Sequence, residues 1–128
     1  MENTKFSIIT NENIHLMVRK FYATILAENN DVAKVFISKL GDNLDDNHWK
    51  EHIDTLTNFW SMIALGETNY MGNPMMAHFD LPLSRDMFGA WLVMFFNVID
   101  SLYEPHLGNV FKVRAEDIAN NFMRNMQL

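Results

Sequence analysis

Apolar residues recur with a helical period along almost the whole chain. Ile14, Val18, Phe21, Tyr22 and Ile25 fall at i, i+4, i+7, i+8 and i+11, one face of a helix from about 11 to 28. A shorter apolar stretch over 32–40 runs into Gly41, a residue suited to the turn after a helix, and the acidic link 42–46 follows. Asp45 or Asp46 can cap the next helix, because a carboxylate accepts the free backbone N–H groups of a first turn. Over about 47–65 the same spacing returns with His52, Leu56, Phe59, Trp60 and Ile63, and Gly66 stops it. From 67 to 83 the period is lost, and Gly72, Pro74 and Pro82 leave room for only about one and a half helical turns between the prolines. So long a loop in a compact domain is expected to carry function or to be disordered. Ser84 then caps a long apolar helix with Phe88, Trp91, Leu92, Phe95, Ile99 and Leu102 inward. Pro105 opens a last helix, for which Val110, Val113, Ile118 and Phe122 are predicted inward. No strand-type alternation and no repeat occurs, so the predicted class is all-α, with the first and third segments packed over the last two helices.

Three of these inward positions carry hydrogen-bond donors. Tyr22, His52 and Trp91 belong to three separate helices, and each lies in a register that otherwise holds hydrocarbon. A single polar residue on such a face is ordinarily a core residue satisfied by a nearby backbone group. Three of them facing one interior suggest a pocket. His78 stands apart in the segment Asn-Pro-Met-Met-Ala-His-Phe-Asp-Leu-Pro over 73–82, where its imidazole can act as a metal ligand facing the others.

Composition narrows the classes of function. At 128 residues the chain is expected to form a single domain over 1–128 that buries roughly two thirds of its unfolded surface. The absence of cysteine excludes disulfides, thiolate metal sites, cysteine nucleophiles and thioether attachment of a cofactor. A net charge of −6, with ten scattered lysines and arginines, argues against a nucleic-acid partner. The first residues lack the basic and apolar regions of a signal peptide, and no apolar stretch reaches the ~18 residues of a membrane span, so a cytoplasmic protein is expected. Ten Met, ten Phe and three Trp describe an interior of soft and flat side chains. Such an interior suits an ordinary helical core with Met as gap filler, and equally a slot for a planar aromatic ligand.

The pocket can be matched to a chemistry. An iron porphyrin that binds a diatomic molecule needs a neutral imidazole on one face, an apolar slot for the macrocycle, and polar groups on the other face. His78 meets the first need, and Phe36, Leu56, Phe59, Trp60, Phe88 and several methionines can supply the slot. Tyr22, His52 and Trp91 can all donate to a ligand that gains negative charge. Taken in order, Trp49-Lys50-Glu51-His52, Asn58-Phe59-Trp60, Leu65-Gly66, Tyr70, Gly72, Pro74, His78, Asp80-Leu81-Pro82 and then Trp91 resemble the group III truncated haemoglobins, the P-type branch of the bacterial two-over-two globins. The resemblance spans roughly residues 14 to 122, and the lack of Gly-Gly pairs at the helix links agrees with group III.

That resemblance implies a truncated globin, a two-over-two helical sandwich around haem b, the noncovalent iron protoporphyrin IX. His78 would be the proximal iron ligand, with Tyr22, His52 and Trp91 as the distal polar residues. Phe36 would pack against the haem edge, and Leu56, Phe59 and Trp60 would line the distal side. Thr55 and Ala77 are uncharged where a basic partner for a propionate would be convenient, which leaves Arg85 and Tyr70 as candidates. The implied ligands are O2 and other diatomics such as NO and CO, with peroxide and cyanide, and a reductase of unstated identity is the implied partner.

Three donors around a bound oxygen oppose ready release, so redox chemistry on O2, NO or peroxide is preferred over oxygen transport. A histidine ligand lacks the electron push of a thiolate, which favours NO dioxygenase-like or peroxidase-like activity, and enzymatic turnover itself is left open. A haem-based O2 store or sensor without turnover would use the same residues, and so would a cofactor-free helical interaction module. His48 and His52 also have the i, i+4 spacing of a zinc pair, but Trp49 follows His48 where the hydrolytic motif has Glu. His15 and His106 show no partner spacing and read as surface residues.

Overall fold

Capping chemistry sets most of the helix boundaries. The computed structural model describes residues 4–68 and 83–128, in which five helices follow one another: α1 (Asn11–Glu28), α2 (Asp31–Leu40), α3 (Asn47–Leu65), α4 (Arg85–Leu102) and α5 (Pro105–Asn125). Thr10 Oγ1 accepts from the Asn13 N–H at 3.1 Å while Asn13 Oδ1 accepts from the Thr10 N–H at 3.0 Å, so two free donors at the start of α1 are satisfied reciprocally. Asn30, Asp46 and Ser84 accept from the first turns of α2, α3 and α4. Of the two acidic candidates before α3 it is Asp46 that caps, whereas Asp45 pairs with Arg19 at 3.1 Å. Pro105 is the first residue of α5, where its missing N–H costs nothing. Gly66 ends α3 in the left-handed conformation, φ 71°, which glycine adopts without a Cβ clash.

Pairing follows from the apolar faces. Asn11 meets Ser61 and Tyr22 meets His52, so α1 and α3 are antiparallel, and Ile99 against Gly108 with Phe88 against Phe122 makes α4 and α5 antiparallel as well. The two pairs cross: α1 packs on α4 through Phe21, which touches Trp91 and Phe95, and α3 packs on α5 through Trp60 and Phe111. The principal core lies between the pairs, and a smaller cluster of Phe88, Ala119, Phe122 and Met123 fills the far end of α4 and α5. Before α1, the Phe6 N–H donates to the Leu102 carbonyl at 2.7 Å and the Phe6 carbonyl accepts from the Glu104 N–H at 3.1 Å. Buried Asn13 completes this clip, accepting from the Tyr103 hydroxyl at 2.8 Å and donating to the Ile8 carbonyl at 3.0 Å.

One face is corrected. Val110 and Val113, predicted inward, are 39% and 58% exposed; Phe122 is buried as predicted, and α5 otherwise buries Gly108, Phe111, Ala115, Ala119 and Met123. The reason is the closeness of α4, since a Cβ at Gly108 would lie only 2.9 Å from Ile99 Cγ2. A tight crossing selects small residues, which hydrophobic periodicity weighs less than valine. None of the helices in the described residues is long and apolar enough to cross a membrane.

Candidate functional site

Antiparallel packing of α1 and α3 brings together two residues thirty positions apart in the chain. The Tyr22 hydroxyl lies 3.1 Å from His52 Nε2. Around this pair the rings of Phe36 and Trp49 close a group of four, with centroids 5.2 Å from Tyr22 to each of them and 5.0 Å from Tyr22 to His52. Trp49 is fully buried, and its indole N–H donates to the Gly41 carbonyl at 2.8 Å, which ties the first turn of α3 to the end of α2. That tie sets where Phe36 of α2 meets Tyr22. Sequence reasoning missed the role of Trp49, for which the only signal is an indole in the first turn of a helix soon after a glycine.

Trp91 enters the same interior from α4. It stands edge-on to Phe21 at 5.6 Å, and Phe21 in turn touches Tyr22 at 5.1 Å. On its other side Trp91 lies parallel to Phe95, which stacks on Trp60. Phe59 is buried against Trp60 at 5.3 Å, and Leu56 is half-buried against the same core. Phe88 is placed apart from these residues, at 6.1 Å from Phe122 in the smaller cluster. His78 lies outside the described residues, as do Tyr70 and Ala77. Arg85 donates to the Leu128 carbonyl oxygen, and Thr55 is exposed. His15, His48 and His106 sit at the surface near Asp54, Asp46 and Glu104. Among the described residues no three His, Cys, Asp or Glu side chains converge as a metal site. His48 and His52 therefore turn to different partners, Asp46 and Tyr22.

Burial decides the protonation of the phenol. Tyr22 is only 4% exposed, and desolvation of its anionic form pushes its pKa well above the usual phenol range, so it stays a neutral hydroxyl. Tyr103 is raised for the same reason. Either ring nitrogen of His52 can carry the imidazole proton. With the proton on Nδ1, Nε2 accepts from the Tyr22 O–H; with the proton on Nε2, Tyr22 accepts and its own hydrogen is free to point elsewhere. The pair is thus a switchable donor in an apolar surround.

The raised phenols carry a stability consequence. Both folded pKa values lie above the unfolded value of about 10, so the folded chain keeps protons that the unfolded chain releases. Their contribution is fully present below pH ~10 and is lost as pH rises beyond it, at up to about 1.4 kcal/mol per pH unit for each tyrosine. Urea unfolding between pH 8 and pH 11 checks this, and a flat profile across the upper part of that window would contradict it.

No family model matches the chain. It is 34% identical over 119 residues to the group 3 truncated hemoglobin ctb of Campylobacter jejuni, covering 92% of this chain and 91% of that protein. Its fold superimposes on the crystal structure of the group III truncated hemoglobin from Campylobacter jejuni with a TM-score of 0.87 and 32% identity, covering 96% of this chain and 95% of that one.

Proposed function

The chain belongs to the group III truncated haemoglobins, and from that premise we propose that it holds haem b noncovalently for redox chemistry on O2, NO or peroxide. In this reading His78 is the protein ligand to the iron, and Tyr22, His52 and Trp91 are the donors facing a bound diatomic ligand. The observation that carries it is the Tyr22–His52 hydrogen bond, part-buried and lined by Phe36, Trp49 and Phe21 with Trp91 beyond. A polar pair set among flat rings, of which Phe36 and Trp91 are half-buried, fits a planar apolar ligand with a polar reacting centre. The lack of cysteine fits noncovalent attachment.

When bound, iron porphyrin supplies an open coordination position at which a diatomic molecule gains negative charge. Toward such a ligand Tyr22 turns its hydroxyl hydrogen, which favours the His52 tautomer that carries its proton on Nε2. His52 then donates to the Tyr22 oxygen and strengthens that hydroxyl as a donor. When His52 carries protons on both ring nitrogens, its Nε2 proton can pass through the Tyr22 oxygen to a ligand that is being reduced, and the imidazole is left neutral with its proton on Nδ1. Apolar rings surround the buried Tyr22 hydroxyl, so its hydrogen bonds act at a lower dielectric than in water. Three donors retain a reduced ligand, and a carrier must release it; that opposition favours turnover, with electrons from a reductase.

Ferrous, oxy and carbonyl absorption spectra of the expressed chain test the proposal, with a haem band and a shift on each ligand expected. A purified chain without any haem band would leave a helical interaction module, and haem without turnover on addition of a reductase would leave a store or sensor. Tyr22 and His52 should also be energetically coupled, because the donor state of one sets that of the other. In a double-mutant cycle of Tyr22→Phe and His52→Leu read by oxygen dissociation, a coupling of about 1 kcal/mol or more is expected. Additivity within ~0.3 kcal/mol would show that the two side chains do not share the ligand.

A further inference from the structure

Trp91, Phe95 and Trp60 form a continuous stack through the core. The Trp91 and Phe95 planes are 1° apart with centroids at 5.5 Å, and those of Phe95 and Trp60 are 20° apart at 5.1 Å. Phe95 is fully buried, Trp60 is 3% exposed, and Trp91 is the half-buried member that reaches the donor group through Phe21. Hydrophobic packing alone is satisfied by tilted and edge-on rings, as elsewhere in this core, so three faces in register set this row apart. An indole gives up an electron far more readily than a benzene ring. In the row, a ring that is hard to oxidise therefore bridges two that are not.

Resting on the haem reading above, we propose that Trp91, Phe95 and Trp60 are an electron-donating relay that serves the pocket when hydrogen peroxide reacts there. Bound haem would supply the centre at which the O–O bond of hydrogen peroxide is cleaved, and the peroxide with two solvent protons and two electrons would end as two waters. Trp91 would deliver each electron from its indole, which is left a cation radical. The electron vacancy then crosses the Phe95 ring to Trp60 as an electron moves the opposite way. No base is needed, because an oxidised indole can keep its N–H, and the Phe95 face against Trp60 favours a cation. Tyr103 is a poor end point: its O–H donates to the Asn13 amide oxygen, which does not take a proton. Of the two described tyrosines Tyr22 is therefore the rival, since His52 Nε2 can accept its proton.

The test uses the haem-loaded ferric protein, one equivalent of hydrogen peroxide, rapid-freeze electron paramagnetic resonance and peptide mapping of the oxidised products. Expected are a tryptophanyl signal and oxygenated tryptophan at both positions 60 and 91. Phe95→Leu removes the bridging ring, and the product at Trp60 should fall severalfold while that at Trp91 persists. Trp60→Phe is the milder variant and guards against loss of folding; in it the product should collect on Trp91. A Trp60 yield unchanged by Phe95→Leu would overturn the relay, and so would a tyrosyl signal with products confined to Tyr22 and the methionines. A purified chain that shows no haem band before peroxide is added overturns the haem reading itself, so the two failures are distinguishable.

Discussion

The His78→Ala variant should be purified essentially free of haem. The argument is one of substitutes. The chain has no cysteine and five histidines, so only four other imidazoles can replace the lost ligand. Three of them, His15, His48 and His106, have side chains 49%, 76% and 70% exposed and lie beside carboxylates at the surface. His52 lies against Tyr22 on α3 and belongs to the opposite side of the proposed pocket. Loss of the ligand bond therefore leaves only apolar contact with the porphyrin, and the haem absorbance per polypeptide should drop to background. Imidazole added to the growth medium or the reconstitution buffer should restore part of that absorbance, which distinguishes a missing ligand from a misfolded chain. A variant with a normal five-coordinate ferrous spectrum would overturn the assignment of His78.

Trp91→Phe should speed oxygen dissociation about tenfold or more, the effect of losing a charge-assisted hydrogen bond of about 1.5–3 kcal/mol. Phenylalanine keeps a flat ring against Phe95 and Phe21, so most of the packing survives while the indole N–H is lost. Carbon monoxide accumulates little negative charge when bound, and its dissociation should change much less. Stopped-flow replacement of bound oxygen by carbon monoxide, and of bound carbon monoxide by nitric oxide, measures both dissociation rates in one preparation. Equal changes for the two ligands would mean that Trp91 acts by shape alone, and the donor set would reduce to Tyr22 and His52.

Several of these residues could be read from the sequence because their signals are local. The i, i+4, i+7, i+8, i+11 spacing put Tyr22 and His52 at inward positions of α1 and α3, and Asp46, Ser84 and Pro105 stand where the last three described helices begin. Trp91 and Phe95 were likewise legible as inward positions of α4. The face of α5 was not, because Gly108, Ala115 and Ala119 carry almost no hydrophobic signal of their own, while the two valines beside them do. Phe88 has an inward register like that of Trp91, yet one turn along α4 is enough to move it into a different cluster.

Periodicity and capping by themselves determined the five helices and the presence of hydrogen-bond donors on three inward faces, since both depend on residues within a turn or two of each other. The tertiary structure alone decided which donors meet. Tyr22 and His52 become partners at 3.1 Å only through the antiparallel register of α1 and α3, and Asn13 joins Tyr103 across ninety residues only through the clip of the N-terminal segment. The parallel planes of Trp91, Phe95 and Trp60, and the pinning of Trp49 to Gly41, depend on how helices approach one another and on which rotamers that approach allows. Local sequence spacing encodes the direction in which a side chain leaves its own helix, and it carries no information about the distance to the next one.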